Sequence, residues 1–186
     1  RLFTILSYQV AAVPVGWHII ELTRDPWNLG LVGLAEVLPF FCVAPFAGYL
    51  VDHLRKRRLG IIACLGLAIT PLLLVPVAAG WIFGAADQST PRLWLIYLAV
   101  MFTGAVRSFL GPVYNTLFAC ALPREQFARG SSIGAVVFQL ALALGAGLGG
   151  IAIGIAHRVN HYPDGSTFAA GWAYGLAALF AIAAVV

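Results

Sequence analysis

Long apolar runs separated by short polar breaks fill the chain from end to end. A membrane-spanning helix needs about 20 consecutive apolar residues. Six runs reach or approach that length, over residues 2–23, 29–51, 59–83, 92–114, 130–156 and 167–186. The breaks have turn chemistry. Residues 23–28 carry Pro26 and Trp27, which suit an interfacial turn. Residues 52–58 read DHLRKRR, with four consecutive cations from Arg55 to Arg58. GAADQSTPR, the amphipathic ALPREQFAR and the long polar HRVNHYPDGST separate the remaining runs.

Composition adds a decision that the pattern alone leaves open. Hydrophobic residues make up 61% of the chain and charged residues 10%, with a mean hydropathy of +0.93. A soluble domain carries about 25% charged residues. There is too little polar surface here to cover a water-soluble core, so a polytopic membrane protein is predicted. The net charge of +4 is not a nucleic-acid signal, because the cations sit at the ends of apolar runs. Cations beside a span are retained on the cytoplasmic side. Breaks two and four hold Arg55, Lys56, Arg57, Arg58, Arg124 and Arg129, whereas breaks one, three and five hold only Arg24, Arg92 and Arg158. Six against three places breaks two and four, and with them both chain ends, in the cytoplasm. No cleavable signal peptide is visible. The chain opens at Arg1 and closes at Val186 within apolar runs, so residues 1–186 are expected to be one six-helix bundle cut from a longer protein.

The 20 glycines concentrate inside the spans, most densely at Gly145, Gly147, Gly149, Gly150 and Gly154. In lipid, small residues let helices approach closely, so residues 145–154 are predicted to form a tight helix–helix seam rather than a loop. Gly33 and Gly134, and Gly48 and Gly149, match at an offset of 101 residues, as a three-plus-three helix repeat would leave. Cys42, Cys64 and Cys120 lack metal or redox spacing and are expected to be small buried hydrophobes.

The sequence GYLVDHLRKRR resembles the motif between the second and third helices of major facilitator superfamily transporters. That motif is a glycine, three residues, an aspartate, a basic residue, any residue, a glycine and two basic residues. Gly48, Asp52, Lys56 and Arg57 match; His53 stands at the first basic position and Arg55 in place of the second glycine. In GAVRSFLGPVYNTLF, Arg107 followed by Gly111 and Pro112 resembles the superfamily's fourth-helix arginine motif. GAGLGG at 145–150 resembles the glycine-rich fifth-helix motif of its exporters, with Ala146 at the usual proline. The order GWHIIELT, LGLVGLAEVLPF, basic turn and ALPREQFARGSS resembles the enterobactin-exporter-like branch. The resemblance implies an all-α fold. The six helices would be the N-terminal half, a 3+3 inverted repeat, of a twelve-helix protein whose C-terminal half is a partner. It implies that Gly48, Asp52, His53, Lys56 and Arg57 gate a conformational change. Asp52 would lock one state by pairing with cations or a helix N-terminus. Arg107 would take part in proton coupling, and Gly145, Gly147, Gly149 and Gly150 in helix packing.

Charges within spans single out the candidate chemistry, because each costs about 3 kcal/mol on insertion scales. Glu36 lies mid-span in LVGLAEVLPFF and is a candidate proton carrier, with a purely structural hydrogen-bonded carboxyl as the alternative. Arg107 cannot shed its proton and must find a carboxylate, carbonyls or water, for coupling or as a structural ion pair. His18 and Glu21 lie three residues apart near the outer end of span one, as a proton-coupling pair or as a solvated interfacial one. Trp17 beside them reads as belt or packing. His157 and His161, with Asp164 nearby, have the spacing of a helical metal pair. Asn160, Pro163 and Gly165 predict a loop there instead, and no third strong ligand is evident; no metal and no cofactor is expected. No phosphate-cradling loop and no nucleophile–base cluster is legible, which argues against a nucleotide-driven pump and against an enzyme.

Together with the charges inside the spans, the resemblance implies a proton-coupled secondary transporter in a bacterial inner membrane. It would export a small hydrophobic or amphipathic molecule, drug-like or siderophore-like, by alternating access. An importer or lysophospholipid flippase on the same fold is the alternative, and a non-transport membrane subunit a further one. The partners are a small molecule, protons, the lipid bilayer and the C-terminal half, with no nucleic acid.

Overall fold

The computed structural model describes residues 2–78, 89–121, 126–160 and 168–184 of the 186-residue chain. Six helices run through them: α1 (Leu2–Thr23), α2 (Pro26–His53), α3 (Lys56–Ala78), α4 (Ser89–Ala121), α5 (Phe127–Asn160) and α6 (Phe168–Ala183). Among the described residues there is no strand. Five of these helices are long and apolar enough to cross a membrane; the described part of α6 is apolar but 16 residues long. The chain is a multi-pass, all-helical membrane protein.

Local chemistry fixes the first two breaks. Arg24 closes α1 in the left-handed region, at φ 50°, and its N–H reaches back to the Ile20 carbonyl at 2.8 Å. Asp25 then caps α2, accepting from the Trp27 N–H at 3.0 Å, and Pro26 takes the first helical position, where a missing N–H costs nothing. Only Leu54 and Arg55 separate α2 from α3. The other three breaks lie largely outside the described residues, including Arg124, His161 and Asp164.

The helices outrun the apolar stretches that predict them. α5 has 34 residues, about 50 Å at 1.5 Å per residue, against a hydrocarbon core of about 30 Å. Its ends therefore stand clear of the core with Arg129 and Arg158 on them. One consequence corrects the sequence reading: Asn160, expected in a loop, is the last helical residue of α5, and His157 lies in the same helix.

Among the principal contacts only α3 with α4 joins sequential neighbours. α1 packs on α5 and α6, α4 packs on α2 and α3, and α3 packs on α6, whereas α2 and α3 barely touch. Exchanging α1 with α4, α2 with α5 and α3 with α6 maps this principal pairing onto itself, as a three-plus-three repeat requires. The core follows from it. One apolar cluster joins Val15 and Ile19 of α1, Leu74 of α3, Ile96 of α4 and Tyr174 of α6. A second joins Cys64 and Leu67 of α3 to Leu110 of α4, with Tyr8 packed against it. α2 and α5, exchanged by the repeat, stay on the outside and expose Phe41, Phe46, Ile133 and Ile151.

The cysteines depart from expectation. Cys64 is buried, but Cys42 and Cys120 are exposed. An apolar neighbourhood in sequence does not separate the packed face of a spanning helix from its outer face, since both are apolar in lipid.

Candidate functional site: an ion pair at a three-helix junction

Glu36 of α2 and Arg107 of α4, 71 residues apart in sequence, form an ion pair through Glu36 Oε1 and Arg107 Nη1. Each side chain is 30% exposed. The backbone brings them together one turn away, at Gly104. A Cβ there would collide with the Glu36 carbonyl oxygen, so only glycine lets α4 lie this close to α2. Arg107 also reaches a third helix, its Cζ lying 4.0 Å from the centroid of the Tyr8 ring on α1. The guanidinium is thus held by a carboxylate from α2 and by an aromatic face from α1.

A cavity of about 200 Å³ opens beside the pair. Thr4 and Tyr8 of α1, Phe40 of α2, Arg107 and Tyr114 of α4 and Phe138 of α5 line it. The Thr4 and Tyr114 hydroxyls hydrogen-bond each other and tie α1 to α4 in its wall. Below Arg107, Ser108 Oγ donates to the Ala105 carbonyl at 2.7 Å, and Thr116 donates to the Pro112 carbonyl. Aromatic walls with one guanidinium and a few hydroxyls suit an amphipathic molecule. The carboxylate is the member of the ion pair able to take a proton, and taking it removes the charge that holds Arg107.

The other sequence candidates lie elsewhere. His18 is fully buried, with Nδ1 3.5 Å from the Tyr174 hydroxyl and ring centroids 6.3 Å apart. The solvated interfacial alternative is therefore corrected for His18, whose ring is buried against Tyr174 of α6. It stands ten residues up α1 from Tyr8, about 15 Å from the cavity lining. Glu21, one turn further, is half-buried, and Trp17 is exposed.

At the α2–α3 turn, Gly48 faces open space and Asp52, His53 and Arg57 are exposed; the Lys56 side chain lies outside the described residues. The His53 ring stacks on Tyr49 at 4.1 Å, and its Nδ1 lies 2.9 Å from the Tyr49 carbonyl. Among the described side chains none pairs with Asp52.

On α5 the glycines divide. A Cβ on Gly145 would stand 2.7 Å from Gln9 Cβ, and one on Gly149 2.9 Å from the Val10 carbonyl oxygen, so these two form a close seam with α1. Pro14 has no N–H for that Val10 carbonyl, which leaves it facing the Gly149 backbone. Gly147, Gly150 and Gly154 meet open space.

Sequence reasoning missed Gly104 and Tyr8. Gly104 had a faint signal, a glycine one turn before a mid-span arginine. Tyr8 had none, because an aromatic ring in an apolar run is ordinary.

A family model described as Major Facilitator Superfamily matches residues 2–186. The chain is 30% identical over 136 residues to the protein named for multidrug resistance, MdtD, of Cronobacter sakazakii, a match covering 73% of this chain and 26% of that protein. It is 26% identical over 137 residues to the MdtD protein of an Enterobacter strain, covering 73% and 27%. The chain spans about a quarter of the length of these curated relatives. No solved structure matches it.

Proposed function

The chain belongs to the Major Facilitator Superfamily, and from that membership we propose that it is the N-terminal six-helix part of a proton-coupled exporter of small amphipathic molecules. The observation that carries this reading is the Glu36–Arg107 pair, set between α2 and α4 and opening on an aromatic-lined cavity. A charge pair inside a spanning bundle is expensive to keep. It repays that cost if Glu36 exchanges its proton as the helices rock. The relatives are bacterial and are named for multidrug resistance, which supports an exported drug-like molecule. The six-against-three distribution of cations supports a cytoplasmic N-terminus. That the match covers about a quarter of the relatives' length supports a second six-helix half that packs on this one and closes the cavity.

In this reading His18 and Glu21 act at most as secondary proton groups, because they are remote from the cavity. Gly48, Asp52, His53, Lys56 and Arg57 form the cytoplasmic gate, with Asp52 finding its partner in another conformation of the protein.

The test is flux in proteoliposomes carrying the full-length protein, with a panel of lipophilic cations and siderophore-like compounds. Flux driven by a pH gradient and reduced at least about tenfold in Glu36→Gln is the expected result, the size of effect for loss of a positioned proton acceptor. Flux that follows the gradient unchanged in Glu36→Gln would make the pair structural. Counterflow with labelled compound fixes the direction and separates an exporter from an importer or a flippase.

A further inference from the structure

We propose that the Tyr8 ring is a second seat for the Arg107 guanidinium, a positioning residue that sets the pH at which the Glu36–Arg107 bridge opens. The inference rests on the reading of Glu36 as the proton acceptor. Arginine keeps its charge at every relevant pH. When Glu36 takes up a proton, a cation is left inside the bundle with its carboxylate neutralised. The structure already supplies what remains: the Tyr8 face, 4.0 Å from Arg107 Cζ. A ring face attracts a guanidinium more strongly when no carboxylate neutralises it. The ring therefore favours the protonated state of Glu36 over the ionised one. It also gives protonation a direction. Glu36 stands on α2 and Tyr8 on α1, so the proton shifts the hold on α4 from one helix to the other. α1 in turn packs on α5 and α6.

Among the described residues Arg107 meets Glu36 of α2 and the Tyr8 ring of α1, and it shares the cavity lining with Thr4 of α1, Phe40 of α2, Tyr114 of α4 and Phe138 of α5. On the far side of Tyr8, α3 contributes Cys64 to the apolar cluster. Phenols and thiols ordinarily lose their protons at higher pH than carboxylic acids, and Glu36 is the carboxyl group among these side chains.

The experiment is a pH titration of the full-length protein in liposomes, read by infrared difference spectroscopy of the carboxylic acid C=O stretch. Glu36→Gln identifies the band. Tyr8→Phe keeps the ring and should titrate with wild type. Tyr8→Leu keeps apolar volume without a ring, and its midpoint should move toward acid by about half a pH unit or more, the scale of one cation–π contact. If Tyr8→Leu does not fold, Tyr8→Met makes the same comparison. A Glu36 band whose midpoint is the same in wild type and in the ringless variant overturns the role of Tyr8 and leaves the proton-acceptor reading standing. So does an equal shift in Tyr8→Phe. No titrating Glu36 band in wild type overturns both.

Discussion

Gly104 and Arg107 stand one turn apart on α4 and make opposite demands on the same contact. Arg107 needs a partner within reach, and Gly104 supplies the reach by giving up its side chain. Gly104→Ala is therefore expected to cost about 1–3 kcal/mol, the range for forced overpacking, read as a lower thermal midpoint of the full-length protein in detergent. Gly147→Ala, whose Cβ meets open space, should stay within about 0.5 kcal/mol of wild type. The pair itself should be non-additive. Arg107→Ala alone strands a carboxylate in the bundle and should destabilise more than the double variant Arg107→Ala/Glu36→Gln, because removing one partner of a charge pair is worse than removing both. At this scale the sequence was informative about cost and silent about geometry. Glu36 and Arg107 stood out because a charge is expensive in lipid, wherever it points. That they meet was hidden by their separation along the chain. Tyr8 and Gly104 carry no such cost; nothing set Tyr8 apart from the chain's other tyrosines, and only its place one turn before Arg107 set Gly104 apart from the other glycines.

Helices were the most legible features, and their ends the least. An apolar run marks the part of a helix that sits in hydrocarbon. The helix itself continues until a cap or a turn stops it, which is why α5 runs on through Asn160. The first break shows such stops in detail. Asp25→Ala removes the hydrogen bond to Trp27 N–H and should cost about 1 kcal/mol of stability. Arg24→Gly should have the opposite sign. Its left-handed backbone is strained for any residue with a Cβ, by about 1–2 kcal/mol in a regular helix. Relief of part of that strain should raise the thermal midpoint slightly. The α5 glycines make a related point. Their density announced close packing, yet only Gly145 and Gly149 touch another helix, because a helix turns about 100° per residue and cannot present five positions within ten residues to one neighbour.

For the whole molecule, the sequence offered class and helix number but little of the pairing. Two glycine matches at a fixed offset hinted at a repeat. The exchange symmetry of the packing, α1 with α5 and α6 against α4 with α2 and α3, depends on surfaces that are uniformly apolar and so leave no periodic trace. The α1–α6 contact can be checked directly. Ser7 Oγ donates to the Ala177 carbonyl at 2.9 Å. Ser7→Ala removes that bond between the two helices and should lower the thermal midpoint of the full-length protein in detergent by the equivalent of about 0.6 kcal/mol. An unchanged midpoint would mean that the two helices are not joined there as described.

The same pairing has a consequence for how the protein is made. Of the principal contacts only α3 with α4 joins neighbours in sequence, so a ribosome delivers α2 into the membrane before α4 exists, and α1 before α5 and α6. Glu36 enters 71 residues ahead of Arg107. At about 5–20 residues per second, the nascent glutamate waits roughly 4–14 s for its arginine. Over that interval α2 carries its carboxyl side chain without the partner it has in the folded protein.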